Sequence, residues 1–141
     1  MKTHQFITFR IDDFLAGIDI LRVREINRLV DITPVPHAPA YIRGLINLRG
    51  QTVTVFDLGI RLGLAPRIIT EETHNIIIKR DAVGLLVDSI GDVVEAKSDE
   101  IMTPPANLGG ITREFIESVV SFEKELMIVL SSEKILEYQA I

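Results

Sequence analysis

Few side chains in this sequence have the type and spacing that catalysis or metal binding requires. The three histidines, His4, His37 and His74, lie in an N-terminal tail, a proline-rich turn and a strand edge, and none has a second ligand at the spacing of a zinc site. Asp12-Asp13 and Glu71-Glu72 are sequence neighbours, which point to opposite faces of a strand and cannot act together. Cysteine is absent, which excludes disulfides and thiolate catalysis. The sequence therefore predicts neither an enzyme nor a bound metal or cofactor.

The composition is that of an ordinary globular domain. The chain has 141 residues, of which 47% are hydrophobic and 25% charged, and this length suits one compact domain or two very small ones. Its net charge of −5 argues against sequence-independent binding to nucleic acid, which needs a basic surface. The N-terminal residues lack the apolar stretch of a signal peptide, and no apolar run approaches the roughly 18 residues of a membrane span. We therefore expect a cytoplasmic protein with no direct membrane insertion.

Apolar residues that alternate with polar ones predict a mostly β structure. Ile7, Phe9 and Ile11 alternate with polar neighbours as in a half-buried strand, and the richness in Ile, Val and Leu also favours strands. Residues 20–30 are predicted to form a short turn followed by a strand, and further strands are predicted at residues 14–19, 51–58, 75–78, 83–87, 93–94 and 126–130. Helix is expected only for one turn at residues 40–43, ended by Gly44, and for residues 132–138.

An internal repeat relates the two halves of the chain. Residues 41–56 align without a gap to residues 115–130, 74 positions later, and eight apolar residues coincide, among them Leu48 with Phe122. A proline pair precedes each copy, and an apolar strand that contains a glycine precedes each proline pair. Chance is the alternative, because nearly half of the residues are apolar, but the shared order of elements favours duplication. Duplication would give two small β-barrels of similar plan packed against each other, since closing a sheet removes its exposed edges.

The turn of the first copy contains an arginine that the turn itself does not need. Asn47-Leu48-Arg49-Gly50 corresponds to Ser121-Phe122-Glu123-Lys124, so the apolar residue is kept while the polar residues change. Arg49 therefore serves something outside the turn, and Glu25 is an acid with which it could pair. The segment around Glu25 also has more apolar residues than one face needs, and these are either core residues or part of a partner-binding surface: Leu21, Val23, Ile26 and Val30.

Four segments together resemble the CheW family of chemotaxis coupling proteins. They are GIDILRVREI (17–26), PVPHAPAYIRGLINLRG (34–50), TVTVFDL (52–58) and VGLLVDSIGDV (83–93), and the resemblance runs from about residue 6 to residue 136. It implies an all-β fold of two SH3-like five-stranded β-barrel subdomains with a short C-terminal helix. We expect a single CheW-like domain over residues 1–141, with the first barrel at about 6–66 and the second at 67–141.

The resemblance also implies an adaptor without enzymatic activity. Members of the family couple the cytoplasmic tip of chemoreceptors to the regulatory domain of the histidine kinase CheA, and the receptor tip docks in a hydrophobic groove between the barrels. Matched position by position, the receptor-binding groove would contain Val23, Glu25, Asn47 and Arg49. Kinase contact by the outer ends of the barrels would use Ile18, Ile20 and Leu21.

Two other functions stay open at this point. One is a small enzyme or ligand-binding double barrel with a site between the subdomains, which calorimetry against metabolites would test. The other is a competitor that binds kinase or receptor without completing the signalling array. Sequence does not separate a competitor from a coupling adaptor, whereas reconstituted kinase activity with receptor and CheA would.

Overall fold

The strands fall where the alternating pattern predicts them. The computed structural model describes residues 2–28, 31–106 and 108–137. Its elements in chain order are β1 (Thr3–Ile11), β2 (Phe14–Asp19), β3 (Val23–Arg28), β4 (Ile42–Leu48), β5 (Gln51–Asp57), α1 (Leu58–Arg61), β6 (His74–Ile78), β7 (Val83–Val87), β8 (Ser89–Lys97), β9 (Ile101–Met102), β10 (Ile116–Phe122), β11 (Glu125–Leu130) and α2 (Ser132–Leu136). A 3₁₀ turn at Ile20–Arg22 precedes β3, as predicted for this segment, and further 3₁₀ turns lie at Ser98–Glu100 and Arg113–Phe115.

The strands form two sheets. β1, β2 and β8–β11 make a sheet in the order β8-β1-β2-β11-β10-β9, which we call the terminal barrel. β3–β7 make a sheet in the order β3-β6-β7-β5-β4, which we call the central barrel. This arrangement confirms the predicted all-β fold of two SH3-like subdomains with a short C-terminal helix. β9, a strand of two residues, adds a sixth strand to the five predicted for the terminal barrel.

Each sheet closes through chain that follows its first edge strand. In the central barrel, Thr33 follows β3 and exchanges two backbone hydrogen bonds of 2.8 Å with Leu45 on β4, at the opposite edge. In the terminal barrel, β8 passes through the turn Ser98–Glu100 into β9, and Met102 then pairs with Val119 on β10. Leu45 and Val119 are 74 positions apart. The two copies therefore close their barrels at equivalent residues.

The repeat is visible in the backbone, but the copies exchange hairpins. β4 and β10 match over their whole lengths at the 74-residue offset, and both have a bulge at the same place, Ile42/Gly44 and Ile116/Ser118. β2 nevertheless pairs in parallel with β11 of the other copy, and β7 pairs in parallel with β5. Each barrel thus takes one hairpin from one copy and its remaining strands from the other.

This exchange corrects the predicted subdomain boundaries. The segments 6–66 and 67–141 correspond to the two sequence copies, whereas the central barrel lies between residues 23 and 87 and the terminal barrel combines strands from both ends of the chain. The reason is the pair of parallel contacts, Gly17 opposite Val129 and Gly84 opposite Val55. Such contacts between distant segments leave no signal in local sequence periodicity.

Alternate side chains of the same strand belong to different cores. In β6, Ile76 and Ile78 join the large cluster that contains residues of both barrels, whereas Ile77 joins a cluster inside the central barrel. In β11, Ile128 joins the shared cluster, and Met127 packs inside the terminal barrel. The strands are therefore apolar on both faces, because one face fills a barrel and the other packs the barrels together.

The turn predicted at residues 40–43 forms but is shorter than predicted, and its predicted end at Gly44 is wrong. Only a single turn forms there, closed by a 2.9 Å hydrogen bond from the N–H of Ile42 to the carbonyl oxygen of Pro39, and β4 begins at Ile42. Gly44 lies inside β4 with φ +147°, and a Cβ at that position would overlap the backbone of Thr33. Glycine is needed at this position because the closing contact of the barrel brings two backbones together, and it does not end a helix.

The C-terminal helix is present, and an equivalent helix lies one repeat earlier. Ser131 caps α2 by accepting a hydrogen bond of 3.2 Å from the N–H of Lys134, and the described helix ends at Leu136; Tyr138, to which it was predicted to extend, lies outside the described residues. Asp57, 74 positions before Ser131, caps α1 in the same way at 3.1 Å from the N–H of Ile60. No helix within the described ranges is long and apolar enough to cross a membrane.

Candidate interaction surfaces

The predicted pair of Glu25 and Arg49 forms, and it joins the two edges of the central barrel. Arg49 occupies the turn between β4 and β5, and its Nη2 donates a hydrogen bond to Oε2 of Glu25 on β3. β3 and β4 are the edge strands of this sheet, so the pair reinforces closure at the end of the barrel that carries this turn. Arg24 and Gln51 make a second hydrogen bond between β3 and β5.

The pair leaves part of its hydrogen-bonding capacity unused. The Arg49 side chain is 63% exposed and that of Glu25 22% exposed. The hydrogen bond that Arg49 donates to Glu25, together with the negative charge of Glu25, raises the pKa of Arg49 above its ordinary value, so the arginine remains charged. Oε1 of Glu25 has no hydrogen-bond partner among the described residues. A partner protein would therefore meet an exposed guanidinium whose carboxylate is already engaged.

The turn geometry supports the inference that Arg49 is not needed to make the turn. Arg49 and Gly50 have φ of 50° and 83°, and the corresponding Glu123 and Lys124 have 46° and 68°. The two hairpins use the same left-handed turn with different side chains. Asn47 stabilises the first turn by accepting a 3.0 Å hydrogen bond from the N–H of Gly50.

Three of the four predicted groove residues come together, and the fourth is buried. Glu25, Asn47 and Arg49 lie at one end of the central barrel. Val23 is 8% exposed and packs in the core shared by the two barrels, where it pairs with Ile78. Val23 therefore packs beneath the surface formed by the other three residues and has little accessible area for a partner to contact.

The residues predicted to contact the kinase differ sharply in exposure. Ile18 is 0% exposed, which contradicts its assignment as a surface residue: its side chain packs in the core shared by the two barrels, and β2 is an inner strand between β1 and β11. Ile20 is partly buried against the shared core. Leu21 is 72% exposed, and its N–H is held at 2.9 Å by the side chain of Asp19.

Leu21 borders a groove between the two barrels. The groove has a volume of about 310 Å³ and is lined by Leu21, Arg22, Ile78, Lys79, Arg80, Asp81, Ser132, Glu133 and Leu136. The 3₁₀ turn that carries Leu21 connects the barrels, α2 follows the last strand of the terminal barrel, and residues 78–81 belong to the β6–β7 hairpin of the central barrel. Arg22, in the 3₁₀ turn, donates a hydrogen bond of 2.9 Å to Glu133 in α2 and so joins two sides of the groove. This groove was not predicted from sequence at these residues.

A buried arginine links the barrels on another side of the molecule. Arg67 is 4% exposed; its Nη1 donates to Oδ1 of Asp12 at 2.9 Å and to Oδ2 of Asp88 at 3.0 Å. Its backbone N–H donates to Oδ2 of Asp57 at 2.9 Å, and Asp57 also accepts from Arg43 at 3.2 Å. Burial lowers the pKa of Arg67, but the hydrogen bond to Asp12 and the charges of Asp88 and Asp57 outweigh it and raise the pKa overall.

The sequence predicts neither a strand nor a helix at residues 60–70, and this ion-pair network was missed. One part of the network had a signal in the sequence. Subtracting the 74-residue offset of the repeat from the capped C-terminal helix predicts a helix at residues 58–61 with Asp57 as its cap. The position of Arg67 has no such signal. Among the described residues, no group of three or more His, Asp or Glu side chains could hold a metal ion.

Comparison with known proteins gives one consistent result. Residues 5–140 match the model of the CheW-like domain family. The chain is 35% identical to a probable chemotaxis protein CheW of Rhizobium etli, over 92% of this chain and 84% of that protein, and 32% identical to a chemotaxis protein CheW of Treponema pallidum, over 93% and 81%. The crystal structure of scaffolding protein TtCheW from Thermoanaerobacter tengcongensis superposes with a TM-score of 0.87 at 28% identity, covering 98% of this chain and 90% of that one. The chain therefore belongs to the CheW-like domain family.

Proposed function

We propose that this protein is a cytoplasmic adaptor that couples chemoreceptors to the regulatory domain of the histidine kinase CheA. The observation that carries the proposal is a groove with an exposed leucine, Leu21, between two barrels of a CheW-like fold. The exposed pair Glu25–Arg49 lies on the strand and turn next to it. The related proteins named above, a scaffolding protein and chemotaxis proteins, favour a binding role over catalysis.

The receptor tip is proposed to dock along the path from the groove to the Arg49 turn. Leu21 and Leu136 would supply apolar contacts, and Glu25 with Arg49 would meet polar groups of the receptor helices. β3 begins two residues after Leu21 and carries Glu25, so one helical partner can touch both features. Leu21 therefore moves from the kinase-binding to the receptor-binding surface in this proposal.

The kinase is proposed to bind at the other end of the central barrel. Ile18 has no surface to offer, whereas Ile68 is 81% exposed and Ile69 and Val35 are also exposed. Ile69 lines a cleft of about 590 Å³ together with Arg28 at the end of β3 and Arg43 near the start of β4. Exposed apolar groups gathered at a barrel end are typical of an interaction site. Receptor and kinase would then bind opposite ends of one barrel.

Reconstitution of receptor-controlled kinase activity tests the function. The full chain, CheA and membranes containing a chemoreceptor are combined, and ATP-dependent phosphorylation is measured with and without attractant. An adaptor should raise kinase activity and make it sensitive to attractant. A competitor would bind CheA or receptor in co-sedimentation and lower the activity given by a known CheW. A chain that binds neither component would refute both versions.

A further inference from the structure

The groove between the barrels is lined by more cations than carboxylates, although the chain as a whole is acidic. The chain as a whole has a net charge of −5, whereas the groove is lined by the cations Arg22, Lys79 and Arg80 and by two carboxylates, Asp81 and Glu133. Arg22 is paired with Glu133. Neither Lys79 nor Arg80 forms an ion pair with any other residue that the structure describes. Two exposed cations therefore stand at the rim beside the exposed Leu21.

Backbone hydrogen bonds fix the turn that carries Lys79 and Arg80. Lys79 donates its N–H to the carbonyl oxygen of Arg22 at 2.9 Å, which attaches the β6–β7 turn to the 3₁₀ turn that carries Leu21. Arg80 and Ala82 have φ of 75° and 48°, and the carbonyl oxygen of Ala82 accepts from Thr54 at 3.0 Å. A turn held at both ends presents its side chains with little backbone freedom. The backbone of the turn is thus preorganised, and it keeps both cations at the rim of the groove.

We propose that the groove selects an amphipathic helix with acidic residues along one flank. The apolar face of the helix would contact Leu21 and Leu136, and its Asp or Glu side chains would lie against Lys79 and Arg80. This inference rests on the proposed function, since the helix would be one of the receptor tip, and it adds the charge that the receptor must present. A polyanion such as nucleic acid fits less well, because Asp81 and Glu133 interrupt the basic surface.

Charge reversal at one turn residue, with a matched control, tests the proposal. A recombinant chemoreceptor cytoplasmic fragment encoded in the same genome is titrated by calorimetry against the full chain and against Arg80→Glu, Asp81→Lys and Lys124→Glu. Arg80 and Lys124 are both exposed turn residues with similar φ, 75° and 68°, so the two reversals change net charge equally in similar backbone settings. Only Arg80 borders the groove.

The expected changes are opposite in direction for the two groove variants. Arg80→Glu should weaken binding about 5- to 20-fold at about 0.05 M salt, and the difference should shrink to about 2-fold at about 0.5 M because salt screens rim charges. Asp81→Lys should tighten binding at low salt, and Lys124→Glu should leave it within about 2-fold of wild type. Circular dichroism of each variant establishes that it is folded, and tightening by Asp81→Lys is informative even if Arg80→Glu does not fold.

The outcomes separate failure of this inference from failure of the proposed function. If wild type binds the fragment but Arg80→Glu and Lys124→Glu behave alike, or Asp81→Lys weakens binding, the charge selection is wrong while the adaptor function stands. If wild type does not bind the receptor fragment, both the charge selection and the adaptor function are refuted. If the chain alone self-associates in sedimentation equilibrium and Arg80→Glu abolishes this, the occupant is a second copy and the proposal is overturned.

Discussion

The two barrels share a plan, but their interiors are built differently. Inside the terminal barrel, Phe6 and Met127 pack beside Gly17, where a Cβ would lie 2.9 Å from Sδ of Met127 and 3.4 Å from Cβ of Phe6. In the central barrel the corresponding glycine, Gly84, faces Ile77 and Asn75. Val53, the repeat counterpart of Met127, also gives a smaller side chain. The terminal barrel is thus filled by larger apolar groups.

Asn75 is the clearest difference between the interiors. It is 0% exposed, and neither its Oδ1 nor its Nδ2 has a hydrogen-bond partner among the described residues. Phe6 pairs with Asp19, two positions after Gly17. Asn75 pairs with Leu86, two positions after Gly84. Phe6 and Asn75 therefore occupy equivalent places in the two barrels. An unpaired buried amide costs stability. The central barrel, which carries the Glu25–Arg49 pair, is therefore the one whose interior contains an unsatisfied polar side chain.

Truncation of Phe6 should have the largest effect on stability. Phe6→Ala should lower the free energy of unfolding by about 3 to 5 kcal/mol, because it removes a large buried ring and leaves a cavity. Urea denaturation followed by circular dichroism measures this. Asn75→Ala is the matched control in the central barrel and should cost far less. If the two substitutions cost the same, the difference between the interiors has no energetic meaning.

Loss of the buried arginine should be the next largest effect, and it tests how the barrels are joined. Arg67→Met removes the guanidinium that holds Asp12 and Asp88 but keeps the backbone bond to Asp57. We expect a loss of about 2 to 4 kcal/mol, below the full cost of breaking a buried pair because both aspartates are partly exposed.

The shape of the Arg67→Met transition is informative as well. Because each barrel takes strands from both copies, unfolding should remain a single transition, with fluorescence of an introduced tryptophan and circular dichroism coinciding. Two separate transitions would show that the barrels unfold independently and that the hairpin exchange does not couple them. Lys134→Met, at an exposed ion pair, is the control and should change stability little.

Filling the interior of the central barrel should stabilise the protein. Asn75→Leu replaces an unpaired amide with an apolar side chain of similar size, and we expect a gain of about 1 to 2 kcal/mol, the cost attributed to one unsatisfied buried polar group. The thermal midpoint should rise with it. A fall in the midpoint would mean that the Asn75 amide is satisfied by bound water and that its burial is not a source of instability.

Sequence predicted the parts of this molecule that depend on local pattern and repetition. Ile7, Phe9 and Ile11 marked β1 by alternation, and the repeat marked the two hairpins with their turns at Arg49 and Glu123. Sequence could not show that Ile18 is buried, because an apolar residue of a central strand has the same local pattern as one on an exposed edge strand.

Contacts between distant segments account for the other errors. The sequence predicts a helix end at Gly44, because the close approach of Gly44 to the backbone of Thr33 exists only once the barrel closes. The boundary near residue 66 followed the repeat, whereas the parallel pairs β2–β11 and β5–β7 assemble the barrels across it. The position of Arg67 between three aspartates likewise depends on tertiary structure. The Glu25–Arg49 pair was predicted correctly because comparison of the two copies removed the turn as an explanation for the arginine, and the resemblance to the CheW family indicated Glu25 as its partner.

Arg49→Ala should change stability less than Phe6→Ala, Arg67→Met or Asn75→Leu, but it should have a large effect on the coupling of receptor to kinase. The side chain is mostly exposed, so the thermal midpoint should stay within about 4 °C of wild type, and kinase binding should be kept. Receptor-dependent kinase activation should nevertheless weaken about tenfold or more, because a charge that is desolvated at an interface contributes far more than it does in water. Glu123→Ala, at the same turn position of the terminal barrel with φ 46° against 50°, should change neither quantity.

If Arg49→Ala lowers the midpoint by more than about 8 °C, the arginine acts mainly by closing the central barrel. If Glu123→Ala impairs coupling equally, the two turns are functionally equivalent and the receptor site is not specific to the Arg49 turn.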